Sequence, residues 1–441
     1  MASKDILSNL SGTLIEFSKR YFDHAINEEA PLARGDILKI EDYEGENYTF
    51  MTADRANAAT VLTTDGGLRP KPVALTPAKG EATPATVTTT LSLGRLAKLA
   101  KMTAGAMGSL LDFKLKTAAS DCASTLERAL HGWAVNPQAA ATWTGTGANS
   151  TVTVDFEDIT GFEPNMLVDF EDDSANLSYR VRVTSVTAAA KGAFSGKVAG
   201  SVAFKNDVVD PSTGSVASLG ATAVAITDVF RPAGYQAGFG GADTKVTDIV
   251  SFDDICGTGA TASLHGITTS EVASWVGHRD NLAGAYTQEA SLAFMEFLRQ
   301  RGGVYPDIAI VPNQIMAAHA ASTGIQGAVF GQVVAPAVSG AVTRDLHAGM
   351  DKYGDLGSAK LRMNGAEAIV SPLAPATKIR FANSKFTKLI RWTEIEPEMD
   401  GGKPYHIDHD NVGVLVFMSG DLQLVTERRS SVGEMYGITS L

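Results

Sequence analysis

The longest regular hydrophobic pattern in the chain lies between residues 103 and 137. Eight apolar residues follow one another at spacings of three or four: Met107, Leu111, Leu115, Ala118, Cys122, Leu126, Ala129 and Trp133. This spacing places side chains on one face of an α-helix, and Asn136-Pro137 is a stop signal. At 1.5 Å per residue the pattern predicts one helix ~40 Å long, which we call the spine helix.

A shorter helical pattern occupies the N-terminal region, residues 1–35. One face would carry Leu7, Leu10, Leu14, Phe17 and Tyr21. Pro31 and Gly35 end the pattern. We therefore predict an amphipathic helix that continues as an arm.

Residues 36–102 alternate between apolar and polar positions as strands do, at 37–40, 48–51 and 87–93. The stretch between the last two, residues 63–86, contains four prolines and the turn signal Gly66-Gly67. It has too few large apolar residues to form a core. Two interpretations remain open: a long two-stranded projecting loop, or a disordered linker between domains.

Short β runs separated by turns follow a small-residue linker at 138–150. Four strands are predicted within residues 151–210: Thr151–Phe156, Met166–Phe170, Tyr179–Val186 and Ser201–Phe204. Turn residues such as Glu171-Asp172-Asp173 separate them. This region is expected to be a compact all-β module inserted into a larger domain.

Helices and strands alternate in residues 216–365. Thr287 can cap a helix that carries Leu292, Met295 and Leu298 on one face, and Gly302-Gly303 can end it. A buried strand at 308–311 and a second helix, capped by Asn313, follow. This alternation predicts a sheet covered by helices.

The C-terminal region, residues 366–441, returns to β patterns. Strands are predicted at 379–381, 387–392 and 412–418. Ser419-Gly420-Asp421 is expected to turn the last of these into a hairpin with residues 422–427. The elements together predict an α+β fold.

Composition limits the classes of function. The 441 residues suffice for two to four domains, and 44% hydrophobic with 20% charged residues excludes a disordered or a basic nucleic-acid-coating chain. Two cysteines, Cys122 and Cys256, exclude a disulfide scaffold or a Cys-rich metal site. No apolar run resembles a signal peptide or a membrane span, so we expect a soluble protein of cytoplasm-like compartments that contacts no membrane.

The net charge of −12 is unevenly distributed along the chain. Residues 1–50 carry 5 basic and 10 acidic side chains, residues 51–135 carry 10 and 6, and residues 151–210 carry 5 and 10. Acidic and basic regions of this kind can pair between neighbouring copies of a chain. The alternative is that they are ordinary solvated surfaces.

Motifs for phosphate binding or catalysis are incomplete. Gly401-Gly402-Lys403 has Pro397 where a phosphate loop needs glycine, and Gly238–Gly241 lacks the third glycine of a dinucleotide-binding loop. No Gly-x-Ser-x-Gly motif occurs. Cys122 lies on the spine-helix stripe, where a core role is favoured. We predict no catalytic residue, no cofactor and no enzyme activity.

One segment contains metal-ligand chemistry, His406-Ile407-Asp408-His409-Asp410, with acidic residues upstream. Imidazole and carboxylate suit zinc or manganese, but the spacing matches no helix-borne metal motif. A polar loop before a strand is the favoured interpretation, and no metal site is predicted. A metal-dependent hydrolase that uses His406, Asp408 and His409 is retained as an alternative.

The order of these elements resembles the major capsid protein of tailed bacteriophages, the Hong Kong ninety-seven fold. The resemblance extends to local sequence at several places: Phe252–Gly259, Ser263–Ile267, Trp275, Gly303–Pro312, Ile369–Pro372, Phe381–Asn383, Asp421–Arg429 and Gly433–Ile438. It implies six regions: an arm at 1–35, an extended loop with flanking strands at 36–102, the spine helix of the peripheral domain at 103–137, a β insertion at 151–210, an axial domain at 216–365, and peripheral strands at 366–441.

The resemblance also implies a function. Copies of the chain would form hexamers and pentamers that close into an icosahedral shell around double-stranded DNA, which they contact non-specifically. A separate scaffolding protein, a portal and, in some members, a decoration protein would be partners. The protein would be a virion component assembled in the bacterial host cytoplasm. A shell of the same fold that stores an enzyme cargo, as encapsulins do, is the alternative.

Contacts between subunits would involve the loop and the arm. The expected contact residues are Leu68, Arg69, Lys71 and Lys79 in the loop, and Leu7, Leu14 and Phe17 in the arm. In some relatives a loop lysine bonds covalently to an asparagine of another subunit. Lys71 or Lys79 with Asn383 would be the corresponding pair here.

Overall fold

In its described residues the chain forms three six-stranded sheets, two short strand pairs and a few helices. The computed structural model describes residues 21–22, 24–26, 30–33, 38–53, 77–92, 104–145, 150–189, 198–210, 212–217, 219, 222–234, 238–242, 249–257, 263–322, 362–371, 373–399, 406–408 and 413–440. Helices and strands are mixed along the chain, and strands predominate. The predicted α+β class is confirmed.

The spine helix, α1, spans Ala104–His131 and is 28 residues long. Leu115, Cys122 and Leu126 of the predicted stripe are buried. The helix ends before the predicted stop at Asn136-Pro137 because Gly132 adopts a φ of 64°, a left-handed conformation that glycine tolerates. Trp133, the last residue of the stripe, therefore lies beyond the helix.

The first sheet packs against α1. Its strands are β1 (Ile40–Asp42), β4 (Ala85–Ser92), β18 (Thr387–Arg391), β19 (Glu396–Pro397), β20 (His406–Asp408) and β21 (Gly413–Thr426). β21 pairs with every other strand of this sheet except β1, which pairs in parallel with β18. Val416 and Met418 of β21 pack with Leu115 and Cys122 of α1.

The predicted hairpin at Ser419-Gly420-Asp421 is wrong, because β21 continues through these residues. β4 pairs with positions 415–422 and β18 with positions 422–426, so the neighbouring strands hold the chain extended. The Asp421 carboxylate accepts hydrogen bonds from the hydroxyls of Thr86 (2.6 Å) and Thr393 (3.0 Å). Asp421 therefore does not cap a turn. Its side chain links β21 to Thr86 on β4 and to Thr393, which follows β18.

The second sheet, which we call the β module, follows α1. Its strands are β6 (Ser150–Phe156), β7 (Leu167–Asp172), β8 (Leu177–Ala188), β9 (Gly200–Asn206), β11 (Val229–Pro232) and β12 (Gly241–Ala242). The four strands predicted within 151–210 are confirmed. The sheet nevertheless extends past residue 210, because β11 pairs with β7 and β12 with β8.

The residues after α1 join the two edges of the β module. Val135 pairs with Phe230 on β11, and Pro137 pairs with Phe156 on β6. β5 (Ala141–Thr142) then pairs with β10 (Ala223–Val224). Residues predicted as a linker at 138–150 and as the start of the axial domain at 216 thus pack with the module.

The third sheet contains the C-terminal strand. Its order is β13 (His278–Ala285), β22 (Gly433–Ser440), β17 (Ile379–Ala382), β14 (Ile308–Pro312), β16 (Ala366–Ser371) and β15 (Arg362–Met363). The predicted strand at 308–311 is β14, which lies inside the sheet and has every residue buried. Strands from both the proposed axial and the proposed peripheral region form this one sheet.

Three helices accompany the third sheet: α2 (Phe252–Cys256), α3 (Gln288–Gly302) and α4 (Asn313–Ser322). The cap of α3 is confirmed, since the Thr287 hydroxyl accepts the Ala290 N–H at 3.2 Å. Gly303 ends the helix with a φ of 70°. Met295 and Leu298 are buried as predicted, but Leu292 is 40% exposed because Phe294 occupies the inner face.

Candidate functional surfaces

A two-stranded hairpin, β2 (Tyr48–Thr52) with β3 (Ala78–Ala82), is anchored to the body through Tyr48 and Phe50. The Tyr48 hydroxyl donates to the Glu427 carboxylate at 2.8 Å. The Phe50 ring lies 6.1 Å from the Trp275 ring and 5.9 Å from the His265 ring. The Glu81 N–H donates to the His265 carbonyl at 2.9 Å. A two-stranded hairpin is marginally stable alone, so this contact holds its base in position.

Gly80 makes this anchor possible. A Cβ at position 80 would lie 2.4 Å from the Phe50 ring, far inside van der Waals contact. His265 is buried under the same ring, and burial lowers the pKa of its imidazole to about 4. Its Nε2 has no hydrogen-bond partner among the described residues. The base of the hairpin is therefore packed by uncharged rings.

Beyond its base, the hairpin exposes an apolar side chain. Met51 is 69% exposed. Lys79 is also exposed, and it pairs with Glu81 on the same face of β3. The pairing ends at Thr52 and Ala78. Leu68, Arg69 and Lys71 lie outside the described residues, so Lys79 is the one predicted loop contact that the structure places.

The described part of the N-terminal arm packs on its own chain. Phe22 is buried against Leu115 and Cys122 of α1. Leu32 is buried further along, and its N–H donates to the Glu127 carboxylate at 3.1 Å. Leu7, Leu14 and Phe17 lie outside the described residues. Residues 21–33 thus give the arm a fixed origin on the spine helix.

Charged side chains form a cluster where the third sheet meets α2. Arg380 on β17 donates to Glu434 on β22 at 2.9 Å and also to Asp253 on α2. Lys378 donates to Asp253 at 3.0 Å, and Arg279 on β13 donates to Glu434 at 3.0 Å. We call these five residues the charge cluster. It joins α2 to three strands of the sheet.

The charges in this cluster stabilise one another. Burial alone would raise the pKa of the Asp253 carboxyl, but the charges of Arg380 and Lys378 outweigh it and hold that pKa well below its usual range. Burial opposes the charge on Arg380, and Asp253 and Glu434 reverse that effect and raise its pKa. Asp253 and Arg380 are therefore both charged at neutral pH.

The two cysteines lie in environments that disfavour the thiolate. Burial raises the pKa of the Cys122 thiol to about 12, and the Asp121 charge adds to this shift. Burial also raises the pKa of Cys256 above its ordinary value. A nucleophilic cysteine needs the opposite shift. These positions fit the core role that the sequence favoured for Cys122.

The segment considered for a metal forms part of the first sheet. His406–Asp408 is strand β20, which pairs with β21 through Ile407 and Val414. His409 lies outside the described residues. Among the residues that the structure describes, no group of three or more His, Cys, Asp or Glu side chains could hold a metal ion.

Asn383, the residue considered for a covalent bond to lysine, is held in a turn. Its Nδ2 donates to the Tyr305 carbonyl at 2.8 Å and its Oδ1 accepts the Lys385 N–H at 3.1 Å. The side chain is buried. A lysine from another subunit would have to displace these contacts to reach the amide carbon.

No helix in the described part of the chain is both long and apolar enough to cross a membrane.

The sequence did not reveal the charge cluster or the ring packing at the base of the hairpin. Arg380 and Glu434 sit on strands where a periodic pattern marks them only as polar. Their partners lie far away along the chain, so no local spacing identifies them.

Solved structures similar to this chain include particles built from many protein copies. The cyanophage A-1(L) capsid is 12% identical, with a TM-score of 0.47 and 93% of each chain covered. A virus-like particle from Pyrococcus furiosus is 7% identical, with a TM-score of 0.39 and coverage of 96% of this chain and 98% of that one. A structure of Mycobacterium phage Ogopogo is 10% identical, with a TM-score of 0.39 and coverage of 91% and 90%. No protein-family model and no curated protein matches the sequence.

Proposed function

We propose that this chain is a major capsid protein of a tailed bacteriophage, whose copies form hexamers and pentamers and close into an icosahedral shell around double-stranded DNA. The observation that carries the proposal is the anchored hairpin β2–β3. It is fixed to the body at Phe50 and presents the exposed Met51 beyond that anchor. In this proposal a second copy covers the exposed Met51 side chain.

Shell assembly needs each copy to make several modest contacts. The described base of the loop packs at Trp275, and the described part of the arm packs on the spine helix, so the loop and the arm begin at two separate places. Contacts between unlike surfaces of identical chains generate rings when their rotation closes. Many such contacts per subunit add up to a stable shell through multivalency. The net charge of −12 keeps free subunits soluble and limits tight binding of DNA to the inner wall.

The same proposal extends to partners and location. A separate scaffolding protein would guide assembly, and a portal and a decoration protein would attach to the finished shell. The DNA would be contacted non-specifically. The protein would be a virion component that assembles in the host cytoplasm. The predicted loop and arm residues, Leu68, Arg69, Lys71, Lys79, Leu7, Leu14 and Phe17, would supply contacts between subunits.

Electron microscopy of the purified protein tests the proposal. We expect closed icosahedral particles or rings of five or six subunits, alone or after co-expression with a scaffolding protein. Particles that contain DNA support the capsid, and particles that contain an enzyme would identify a storage shell instead. A uniform monomer or dimer under both conditions contradicts a shell. Metal bound at one ion per chain would then favour the alternative at His406, Asp408 and His409.

A single charge on the hairpin should block assembly. Met51→Glu places a carboxylate where a neighbouring copy would cover it, and burying an unpaired charge costs enough to reduce assembly at least about tenfold. Because Met51 is 69% exposed in the single chain, the thermal unfolding temperature of the free Met51→Glu subunit should equal that of the wild type. Sedimentation of particles against free subunits measures the effect.

Met399→Glu is the matched control, since Met399 is 59% exposed and follows β19, outside the hairpin strands. Its particle yield should equal that of the wild-type chain. Equal yields from both variants would remove the hairpin from the interface. An equal loss in both would mean that added negative charge, and not the position of Met51, prevents assembly.

A further inference from the structure

The C-terminal end of the spine helix is joined to the charge cluster by one histidine. His131 is the last residue of α1 and is fully buried. Its Nδ1 lies 3.0 Å from Nη1 of Arg380, and its Nε2 lies 3.1 Å from the Glu127 carboxylate.

These two distances fix the protonation state of the ring. A guanidinium can only donate hydrogen bonds, so Nδ1 of His131 must accept from Arg380 and carries no proton. The proton is therefore on Nε2, which donates to Glu127. Burial lowers the pKa of His131, and the Arg380 charge adds to that effect, against the opposing influence of Glu127. The joint is made by a neutral imidazole.

We propose that this contact is an acid-sensitive joint: a proton taken up by His131 separates the end of the spine helix from the third sheet. A proton on Nδ1 would point at the guanidinium 3.0 Å away and would turn a hydrogen bond into a repulsion between like charges. The imidazolium would lose its hydrogen bond to Arg380 on β17.

The charged groups around His131 favour separation of α1 from the third sheet once the imidazole is protonated. The groups that face His131 are Glu127 on its own helix, Arg380 on β17 and Asp253 on α2. With Glu434, Lys378 and Arg279 included, the buried cluster holds three cations and three anions when His131 is neutral. One more proton leaves it with an uncompensated positive charge, which a buried site tolerates poorly.

The arm should stay attached while the joint opens. The other contact of His131 is with Glu127, and a positive imidazole strengthens that pair. Glu127 in turn accepts the Leu32 N–H. Acid is therefore expected to loosen α1 from the sheet and not the arm from α1. This distinguishes a specific joint from general acid unfolding.

Hydrogen exchange of the free full-length chain, followed by mass spectrometry at pH 7.5 and pH 5, tests the joint and does not depend on shell assembly. After correction for the intrinsic pH dependence, opening at residues 126–131 should increase up to about 30-fold, the limit set by an exposed histidine with a pKa of about 6.5. Exchange at residues 30–33 should change less than about twofold. No increase at residues 126–131 in the wild-type chain would overturn the proposal.

His131→Gln identifies the responsible group. Glutamine can accept from Arg380 and donate to Glu127 but cannot take up a proton, so opening at residues 126–131 should lose the part of its acid response that His131 supplies. His24→Gln, at an exposed position, should retain the full wild-type response. The low pKa of His265 adds the same background to both variants. An acid response in His131→Gln equal to that of wild type would contradict the proposal.

Discussion

Arg380→Met will lower the free energy of unfolding by about 3–5 kcal/mol, the cost of breaking a buried ion pair by removing one partner. Glu434 is 0% exposed and would lose its 2.9 Å bond to the guanidinium. Asp253 would lose a donor as well, and Nδ1 of His131 would have no donor. Arg279 and Lys378 remain near the two carboxylates, which places the expected loss near the lower limit.

Urea unfolding at pH 7, monitored by tryptophan fluorescence, measures this loss. Arg299→Met is the control, because Arg299 pairs with Glu296 on the exposed surface of α3, where solvent screens the two charges. A loss for Arg380→Met no larger than that of the control would show that the charge cluster does not stabilise the fold.

The Arg380→Met loss should also depend on pH. The neighbouring cations hold the pKa of Asp253 below its unfolded value, so the stability from this carboxylate is present above a pH of about 4. It is lost as the pH falls through the lower, folded pKa. The difference between wild type and Arg380→Met should therefore be constant at neutral pH and decrease in strong acid.

Phe230→Ala will destabilise the β module by about 3–5 kcal/mol, the range for removing a buried phenylalanine. The Phe230 ring centre lies 4.6 Å from that of Phe204, 5.1 Å from that of Phe170 and 5.3 Å from that of Phe156. Its backbone also pairs with Val135, which closes the sheet. The substitution therefore leaves a cavity between rings from β6, β7 and β9.

Calorimetry and hydrogen exchange together measure this effect. Amides of β6–β9 should exchange faster in Phe230→Ala, while those of the third sheet should not change. Phe113→Ala is the matched control, since Phe113 on α1 is 67% exposed and its removal should cost less than about 0.5 kcal/mol. An unchanged module in Phe230→Ala would show that residues 229–242 are not part of its core.

Local patterns identified much of the secondary structure. The periodic stripe located the spine helix, and Thr287 with Gly303 located both ends of α3, because caps and helical faces depend on residues within a few positions of one another. The four strands of the module at 150–206 followed from alternation and turn residues for the same reason. The projecting hairpin was one of two open interpretations, and the pairing of β2 with β3 supports it in the described residues.

Errors arose where distant strands override a local signal. Ser419-Gly420-Asp421 has turn composition, yet pairing with β4 and β18 keeps β21 extended. The module boundary at 210 was too early, because β11 and β12 join the sheet from residues 229–242. Leu292 fits a helical stripe, but the packing of Phe294 rotates the inner face of α3 away from it.

The sequence by itself determined where the spine helix, α3 and the four strands at 150–206 lie, that both cysteines belong to no disulfide scaffold, and that the chain is acidic with a basic middle region. Those properties depend on composition and on neighbours within one or two turns. Only the tertiary structure decided which strands pair, how the module closes, and that Arg380, Glu434, Asp253 and His131 meet. Arg380 lies more than one hundred positions from both His131 and Asp253 along the chain. Contacts between residues so far apart leave no periodic pattern in a single sequence.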